Sequence, residues 1–254
     1  MLMRTLGATG IMVSPLGLGT VKLGRDQAVK YPKAFAIPDD QAAHKLLQRA
    51  RELGINLLDT APAYGNSEQR LGELLKRDTQ DWVICSKVGE EFIDGQSHFD
   101  FTPEHTRTSV LRSLKRLQRD YLDIVLVHSD GNDIAIVEQY GTLQTLADLK
   151  QQGLIRAIGF SGKTLEGGLR AAEVADVMMV TYNPEYRDEA ALLDYCASHN
   201  KGVLIKKALA SGHIGDDVGA SLRFALQHPA TSSVMVGTIN PEHLAANAAA
   251  IKDS

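Results

Sequence analysis

Residues 57–75 read LLDTAPAYGNSEQRLGELL, and the way this stretch is built decides the fold. An apolar run ends at Asp59. Tyr64 follows in a loop that contains Pro62 and Gly65, and a helix-like pattern begins near Ser67. A strand opening into a loop and then a helix places an acid and a phenol together where chemistry commonly sits. Three further apolar runs end in polar groups: VICSK at Lys87, IVLVH at His128 and IGFS at Ser161. Four such ends predict one site along one edge of a sheet.

Outward from this stretch, strand-like and helix-like segments alternate. The pattern predicts strands over 16–19, 56–59, 82–87, 124–128, 155–161, 177–181, 202–206 and 233–237. Before them, segments 4–6 and 11–13 read as a short hairpin around a turn at 7–10. Helices are expected over 40–53, 104–117 and 140–152, the second with Thr102 as N-cap and Pro103 at its first position. Strands that are nearly continuous apolar runs are buried on both faces, as in a parallel sheet. Eight β/α units in about 250 residues predict an α/β fold, a (β/α)8 TIM barrel with a short N-terminal β-hairpin. Its active site would lie at the carboxyl ends of the strands, where Asp59, Lys87, His128, Ser161 and Lys206 fall. No linker, composition break or charge block divides the chain, so residues 1–254 are expected to form one domain.

Composition narrows the function. A net charge of -4 with mixed signs gives no reason to expect nucleic acid or an anionic membrane as partner. The two cysteines, Cys85 and Cys196, are expected as buried thiols in a reducing compartment. No apolar run is long enough to span a membrane, and MLMRTLGATG lacks the apolar core of a signal peptide. The expectation is a cytoplasmic monomer or weak oligomer acting on a small molecule. The histidines show no H-E-x-x-H spacing and C-x-x-C is absent, so no metal is expected.

The constellation suggests an acid catalyst. A phenol titrates near 10, and a nearby ammonium favours the phenolate. Lys87 is the candidate cation, Asp59 its partner, and His128 a hydrogen-bonding group for a substrate oxygen or for Tyr64. Such a set would protonate a carbonyl becoming an alcohol. The structural alternative is an Asp59–Lys87 ion pair with Tyr64 and His128 as rim residues; four such groups at equivalent strand ends favour function.

Other motifs are weaker. GFSGKT at 159–164 fails as a P-loop because Ala157 stands where glycine is required, and Gly17 with Gly19 lacks the third glycine of a dinucleotide fingerprint. Ser161–Lys163 either lets backbone amides approach a ligand or makes a tight turn. Of Lys206 and Lys207, at least one is expected in the barrel mouth, for an anionic group such as a pyrophosphate. Gly237 and Thr238 end the last strand, and Asn240 precedes a helix whose N-terminus is either an anion site or simply capped. Cys85, Met178 and Met179 are expected in the core.

These residues resemble the aldo-keto reductase superfamily nearly end to end. VSPLGLGTVKLG is similar to its first strand. DTAPAYGNSEQRLGELL is similar to its most diagnostic signature, with the family's Asp and Tyr on Asp59 and Tyr64. VICSKV puts the family's Lys on Lys87, SLKRLQRDYLDIVLVH its His on His128, and GLIRAIGFSG its cofactor-binding Ser on Ser161. The resemblance implies NADP(H)-dependent carbonyl reduction, with hydride from the nicotinamide and a proton from Tyr64. Near the reacting end, the implied cofactor contacts are Gly19, Thr20, Asp59, Ser161 and Gly162. Further along they are Lys206, Lys207, Leu209 and Ser211, then Gly237, Thr238, His243 and Asn247.

The departures are specific. Gly162 replaces a common Asn, Met179 a Gln, and Lys206 an aromatic that stacks on the nicotinamide. Gly237 replaces a Lys and His243 an Arg, both of which often grip the 2'-phosphate, and Ala246 replaces a Glu. The expectation is NADP(H) preferred by a modest margin, with NAD(H) possible. The alternative function is a redox-sensing or regulatory partner that binds cofactor with little turnover, against which the intact Tyr64, Lys87 and His128 argue. The sequence after the last helix leaves no room for the long C-terminal loop of many members. Segment 25–38, RDQAVKYPKAFAIP, is too long for an ordinary βα loop and carries Tyr31 and Phe35. It is expected to cover the substrate side, so that Tyr31 and Phe35 join Tyr64 and His128 in contacting substrate.

Overall fold

A computed structural model describes residues 1–29, 31, 34–76, 82–212 and 217–252. β1 (Arg4–Thr5) pairs antiparallel with β2 (Met12–Val13). Then come β3 (Leu16–Gly19), α1 (Asp40–Glu52), β4 (Leu57–Asp59), α2 (Ser67–Leu75) and β5 (Val83–Val88). A second hairpin follows, β6 (Glu90–Ile93) and β7 (Gln96–Phe99), and then α3 (Pro103–Leu117), β8 (Leu122–His128), α4 (Asp133–Glu138) and α5 (Thr142–Gln151). The chain continues through β9 (Ile155–Ser161), α6 (Leu165–Ala172), β10 (Val177–Thr181), α7 (Ala190–Ser198) and β11 (Gly202–Lys206). It finishes with α8 (Val218–Gln227), β12 (Thr231–Val236) and α9 (Pro241–Ala250). None of the described helices is long and apolar enough to cross a membrane.

β3, β4, β5, β8, β9, β10, β11 and β12 form a closed barrel. Every neighbouring pair is parallel, and β12 closes on β3 through Val234 opposite Leu16 and Val236 opposite Leu18. This is the (β/α)8 barrel expected from the alternation. Four strands have the expected bounds, and the others shift by one or two residues at one or both ends.

Two apolar layers hold the barrel. Outward-facing strand residues meet the helices: α1 presents Ala43, Leu46, Leu47 and Ala50, spaced along one helical face. The interior is a separate cluster containing Leu57, Cys85, Ile124, Leu126, Ala157, Val177, Met179 and Leu204. Leu6, Ile11 and Val13 of the first hairpin belong to it and plug the amino-terminal end. Met178 lies in the outer layer, so Cys85, Met178 and Met179 are core residues as expected.

The second hairpin is a departure. The sequence does not predict it, because 90–99 carries little apolar pattern; in the fold most of these residues are exposed. Its turn was nevertheless signalled: Asp94 and Gly95 both have positive φ (50° and 80°), the two-residue arrangement that Asp-Gly favours.

Asn56 ties the plug to the barrel. Its Oδ1 accepts from the Ser14 amide at 2.8 Å, its Nδ2 donates to the Met12 carbonyl at 2.9 Å, and its own amide donates to Ser14 Oγ at 3.1 Å. Asn56→Ala strips a backbone donor and acceptor of partners, which should cost about 1–3 kcal/mol. Urea unfolding should show this loss with ligand affinities unchanged, because the site lies at the barrel's other end.

Candidate active site

Asp59 ends β4 opposite Cys85 of the parallel neighbour β5, and Lys87 lies two residues further along β5, one residue from its end. Lys87 Nζ donates to Asp59 Oδ1 at 2.5 Å and to the Thr60 carbonyl at 2.9 Å. Lys87 is only 2% exposed, so this ion pair stands almost outside water. The ammonium lies 4.8 Å from the centre of the Tyr64 ring, and the His128 ring stands edge-on to Tyr64 with centroids 6.3 Å apart. The structure thus brings together Asp59, Tyr64, Lys87 and His128.

Backbone contacts position Tyr64. Its amide donates to the Ala61 carbonyl at 3.0 Å, and its carbonyl accepts from Ser67 at the start of α2. Gly24 packs main chain against main chain here: a Cβ on it would fall 2.3 Å from the Tyr64 oxygen and the Ser67 nitrogen. Gly65 has φ +61°, and a Cβ there would meet the Gly24 oxygen at 2.1 Å. Arg25 adds Nη1 to the Ala63 carbonyl at 3.0 Å. Thr20 donates through both its amide and its hydroxyl to the Asp59 carbonyl, fixing the end of β4.

Burial and charge set the protonation states. Burial pushes the Tyr64 phenol above its usual value; Lys87 opposes this, and Asp59 and Tyr31 add to it. The Lys87 effect expected from the sequence is present, but desolvation outweighs it, so the phenol holds its proton more tightly than free tyrosine. For Lys87, burial works against the charge, yet Asp59 above all drives the ammonium above its usual range.

His128 is set by a residue that the sequence reading missed. Its Nδ1 lies 2.8 Å from Glu90 Oε2. Burial lowers the His128 pKa, Glu90 opposes it, and Lys87 and Lys206 reinforce it. Burial also penalises the Glu90 charge, but His128, the Ser97 hydroxyl and Arg25 bring its carboxyl down to about 2. The only signal for Glu90 was the Asp-Gly turn of its hairpin.

Across the mouth, Lys206 Nζ donates to Ser161 Oγ at 3.0 Å and to the Gly162 carbonyl at 2.7 Å. Of the two lysines, Lys206 is the one that reaches across the mouth; Lys207 is exposed with φ +55°. Gly19 and Gly237 lie side by side, a Cβ on Gly19 reaching 3.8 Å from Gly237 Cα. They leave a strip of bare backbone between β3 and β12, a cradle that side chains would fill. A cradle beside an ammonium and a serine hydroxyl fits a flat, phosphorylated cofactor.

At two places where the sequence allows either a ligand or a local turn or cap, the amides are bonded within the chain. The Lys163 and Thr164 amides both donate to Asp133 Oδ2 at 2.7 Å, so Ser161–Lys163 is a turn capped by a buried acid. Asn240 Oδ1 accepts from the Glu242 and His243 amides, so α9 begins with a plain N-cap, while Thr238 Oγ1 accepts from the Asn240 amide. Leu209 packs on the core, His243 is exposed and Asn247 is buried on α9. The Ser211 side chain lies outside the described residues. Among the described residues no cluster of three or more His, Cys, Asp or Glu side chains is arranged for a metal.

Within segment 25–38, Lys30, Pro32 and Lys33 lie outside the described residues. Tyr31 and Phe35 meet edge to face at 5.7 Å, with Lys22 Nζ 3.9 Å from the Tyr31 ring centre and 4.9 Å from that of Phe35. A Cβ on Gly237 would fall 2.8 Å from Tyr31 Oη, so Tyr31 stands beside the cradle. Burial and then Asp59 raise its phenol to about 12.

The chain is similar to known proteins along most of its length. Residues 15–220 match the profile described as the Aldo/keto reductase family. L-galactose dehydrogenase of Arabidopsis thaliana is 35% identical over 83% of this chain and 66% of its own length. NADH-specific methylglyoxal reductase of Escherichia coli is 35% identical over 61% of this chain and 50% of its own. The match thus spans half to just under two thirds of these curated relatives. A crystal structure of a Pseudomonas aeruginosa protein provisionally named an aldo-keto reductase superposes with a TM-score of 0.90 and 59% identity, covering 98% of this chain and 93% of that one.

The Glu90 carboxyl, depressed to about 2 from an unfolded value near 4.3, contributes stability present above that unfolded value and lost as pH falls toward 2. Glu90→Gln should therefore lower stability at pH 7 and flatten the acid loss between about pH 4.3 and 2. Urea unfolding at pH 7, 4 and 3 checks this; parallel curves for variant and wild type would reject the Glu90 contact.

Proposed function

The chain belongs to the aldo/keto reductase family, and on that premise we propose that it interconverts an aldehyde or ketone and its alcohol using NADP(H), with Tyr64 as proton donor. The observation that carries this reading is the buried Lys87 ammonium, paired with Asp59 and set beside the Tyr64 ring. An ion pair kept only for stability would gain little from burial beside a phenol.

The roles follow from the environments. Burial keeps Tyr64 protonated at neutral pH, so it is an acid with a proton to give. As the proton leaves toward the substrate oxygen, negative charge grows on the phenol, and the Lys87 ammonium stabilises that charge more than it stabilises the neutral ring. That difference is the condition for catalysis. Asp59 and the Thr60 carbonyl hold Lys87 charged and immobile. His128, biased toward the neutral imidazole by burial, offers a hydrogen bond to the substrate oxygen without competing for the proton. NADP(H), when bound, supplies or accepts the hydride.

Ser161, Gly162, Lys206, Gly19 and Thr20 would hold its nicotinamide end. Gly237, Thr238, Lys207, Leu209 and Ser211 would hold the pyrophosphate, and His243 and Asn247 the adenosine end. NAD(H) is the second candidate, supported by the exposed His243 with acidic Glu242 beside it and by the NADH-specific relative.

Fluorescence titration with NADPH and NADH, followed by a panel of aldehydes and ketones, tests the reading. Tyr64→Phe should leave the cofactor dissociation constant nearly unchanged and lower kcat by about 10²–10⁴; wild-type turnover would remove Tyr64 as the acid. His243→Arg should raise the preference for NADPH over NADH by about tenfold, one charge-assisted contact. An unmoved preference would place the 2'-phosphate elsewhere.

A further inference from the structure

We propose that Lys206 makes this site select the reduced, neutral nicotinamide over the oxidised, cationic one. The inference rests on the nicotinamide cofactor proposed above and asks what this chain's own charge does to the two forms.

The mouth holds a buried lysine and a half-buried one, with different partners. Lys87 is matched by Asp59 at 2.5 Å. Lys206 reaches only neutral acceptors, the Ser161 hydroxyl and the Gly162 carbonyl, and among the described residues no carboxylate lies within ion-pair distance of it. The charged and titratable groups around it are Glu189 ahead of α7, Asp133 on α4, Lys207 beside it, Lys87 on β5 and His128 on β8. The acids among them act on it without forming an ion pair. Burial pushes the Glu189 carboxyl up, against the pull of Lys206. Asp133 is engaged by the Ser129 hydroxyl and by the Lys163 and Thr164 amides. The Lys206 ammonium is thus held by neutral acceptors, with no carboxylate of the described residues in direct contact.

Burial brings the Lys206 amine down to about 8, with Glu189 opposing and Lys207 and Lys87 reinforcing, so it remains mostly protonated at pH 7. A hydride donor must reach the carbon whose oxygen takes the Tyr64 proton. A ring held there would lie close to Tyr64 and His128, and Lys206, which acts electrostatically on His128, would be its nearest unmatched cation. The reduced ring is neutral and the oxidised ring carries one positive charge. Two unit charges a few ångströms apart, even at an effective dielectric constant near 20, repel by enough to change an affinity at least tenfold.

The bound couple is thereby displaced toward its reduced form, about 30 mV for each tenfold difference in affinity. In the reductive direction, the oxidised product of the cofactor is expelled readily. In the oxidative direction, the bound cofactor is a stronger acceptor of hydride from the alcohol.

Calorimetric titration of the whole protein with both oxidation states gives the ratio Kd(oxidised)/Kd(reduced). At pH 7 the wild type should show a ratio of about ten or more, Lys206→Met and Lys206→Gln a ratio at least fivefold smaller, and Lys206→Arg the wild-type ratio. From pH 7 to pH 9.5 the wild-type ratio should fall while that of Lys206→Arg stays level; this comparison decides the matter if the neutral variants fail to fold. A ratio unchanged in Lys206→Met, an equal weakening of both forms, or a change confined to substrate KM would overturn the assignment. Binding of neither form to the wild type would instead overturn the proposed function, and this inference with it.

Discussion

Lys87 carries its charge into a place that water barely reaches, and the Asp59 carboxylate with the Thr60 carbonyl makes this tolerable. An unpaired ammonium there would shed its proton or unfold its surroundings. The pair therefore requires that β5 run past the end of β4, that the loop after Asp59 curl back, and that the Thr60 carbonyl face inward. The register of the two strands meets the first demand and Thr20, gripping the Asp59 carbonyl, supports the second. Tyr64 then has its place because Gly24 and Gly65 let two stretches of backbone touch. The backbone that carries the phenol is held largely by main chain, and the ring is met by Lys87 and His128.

The electrostatics of the mouth come from burial more than from any one partner. Tyr64 moves up, His128 down and Lys206 down, each chiefly because its charged form loses water. Opposite charges then correct individual groups: Asp59 restores Lys87, and Glu90 limits the fall of His128. Arg25 contributes at one remove. It lies 3.9 Å from Glu90 and caps the Phe92 ring, so the second hairpin, the Tyr64 loop and the imidazole share one cation.

Much of this was legible in the sequence. Barrel strands buried on both faces announce themselves as apolar runs, and their polar last residues mark the site, which is why Asp59, Lys87, His128 and Ser161 could be picked out directly. Glu90 could not, because a residue that acts through a neighbour on an exposed hairpin leaves no periodic trace. The Ser161–Lys163 turn and the start of α9 looked open because a sequence shows which amides are candidates for a ligand but not which are already taken, here by Asp133 and Asn240. The direction of the Tyr64 shift was hidden for a related reason: a neighbouring cation can be guessed from spacing, whereas the depth of burial that outweighs it belongs to the assembled barrel.

The pairing of β12 with β3 has a consequence for how the protein is made. Its interior is sealed only when residues near position 16 meet residues near position 234, so native contacts that close the barrel are among the most distant in sequence. Topologies of this kind fold slowly for their size. Until the seam forms, both strands present unpaired edges that invite association with other chains. The plug formed by Leu6, Ile11 and Val13 cannot be seated earlier either, because the cluster it completes draws on β4, β5, β8, β9, β10 and β11. During synthesis, the half-built barrel would thus be the form most in need of chaperone protection.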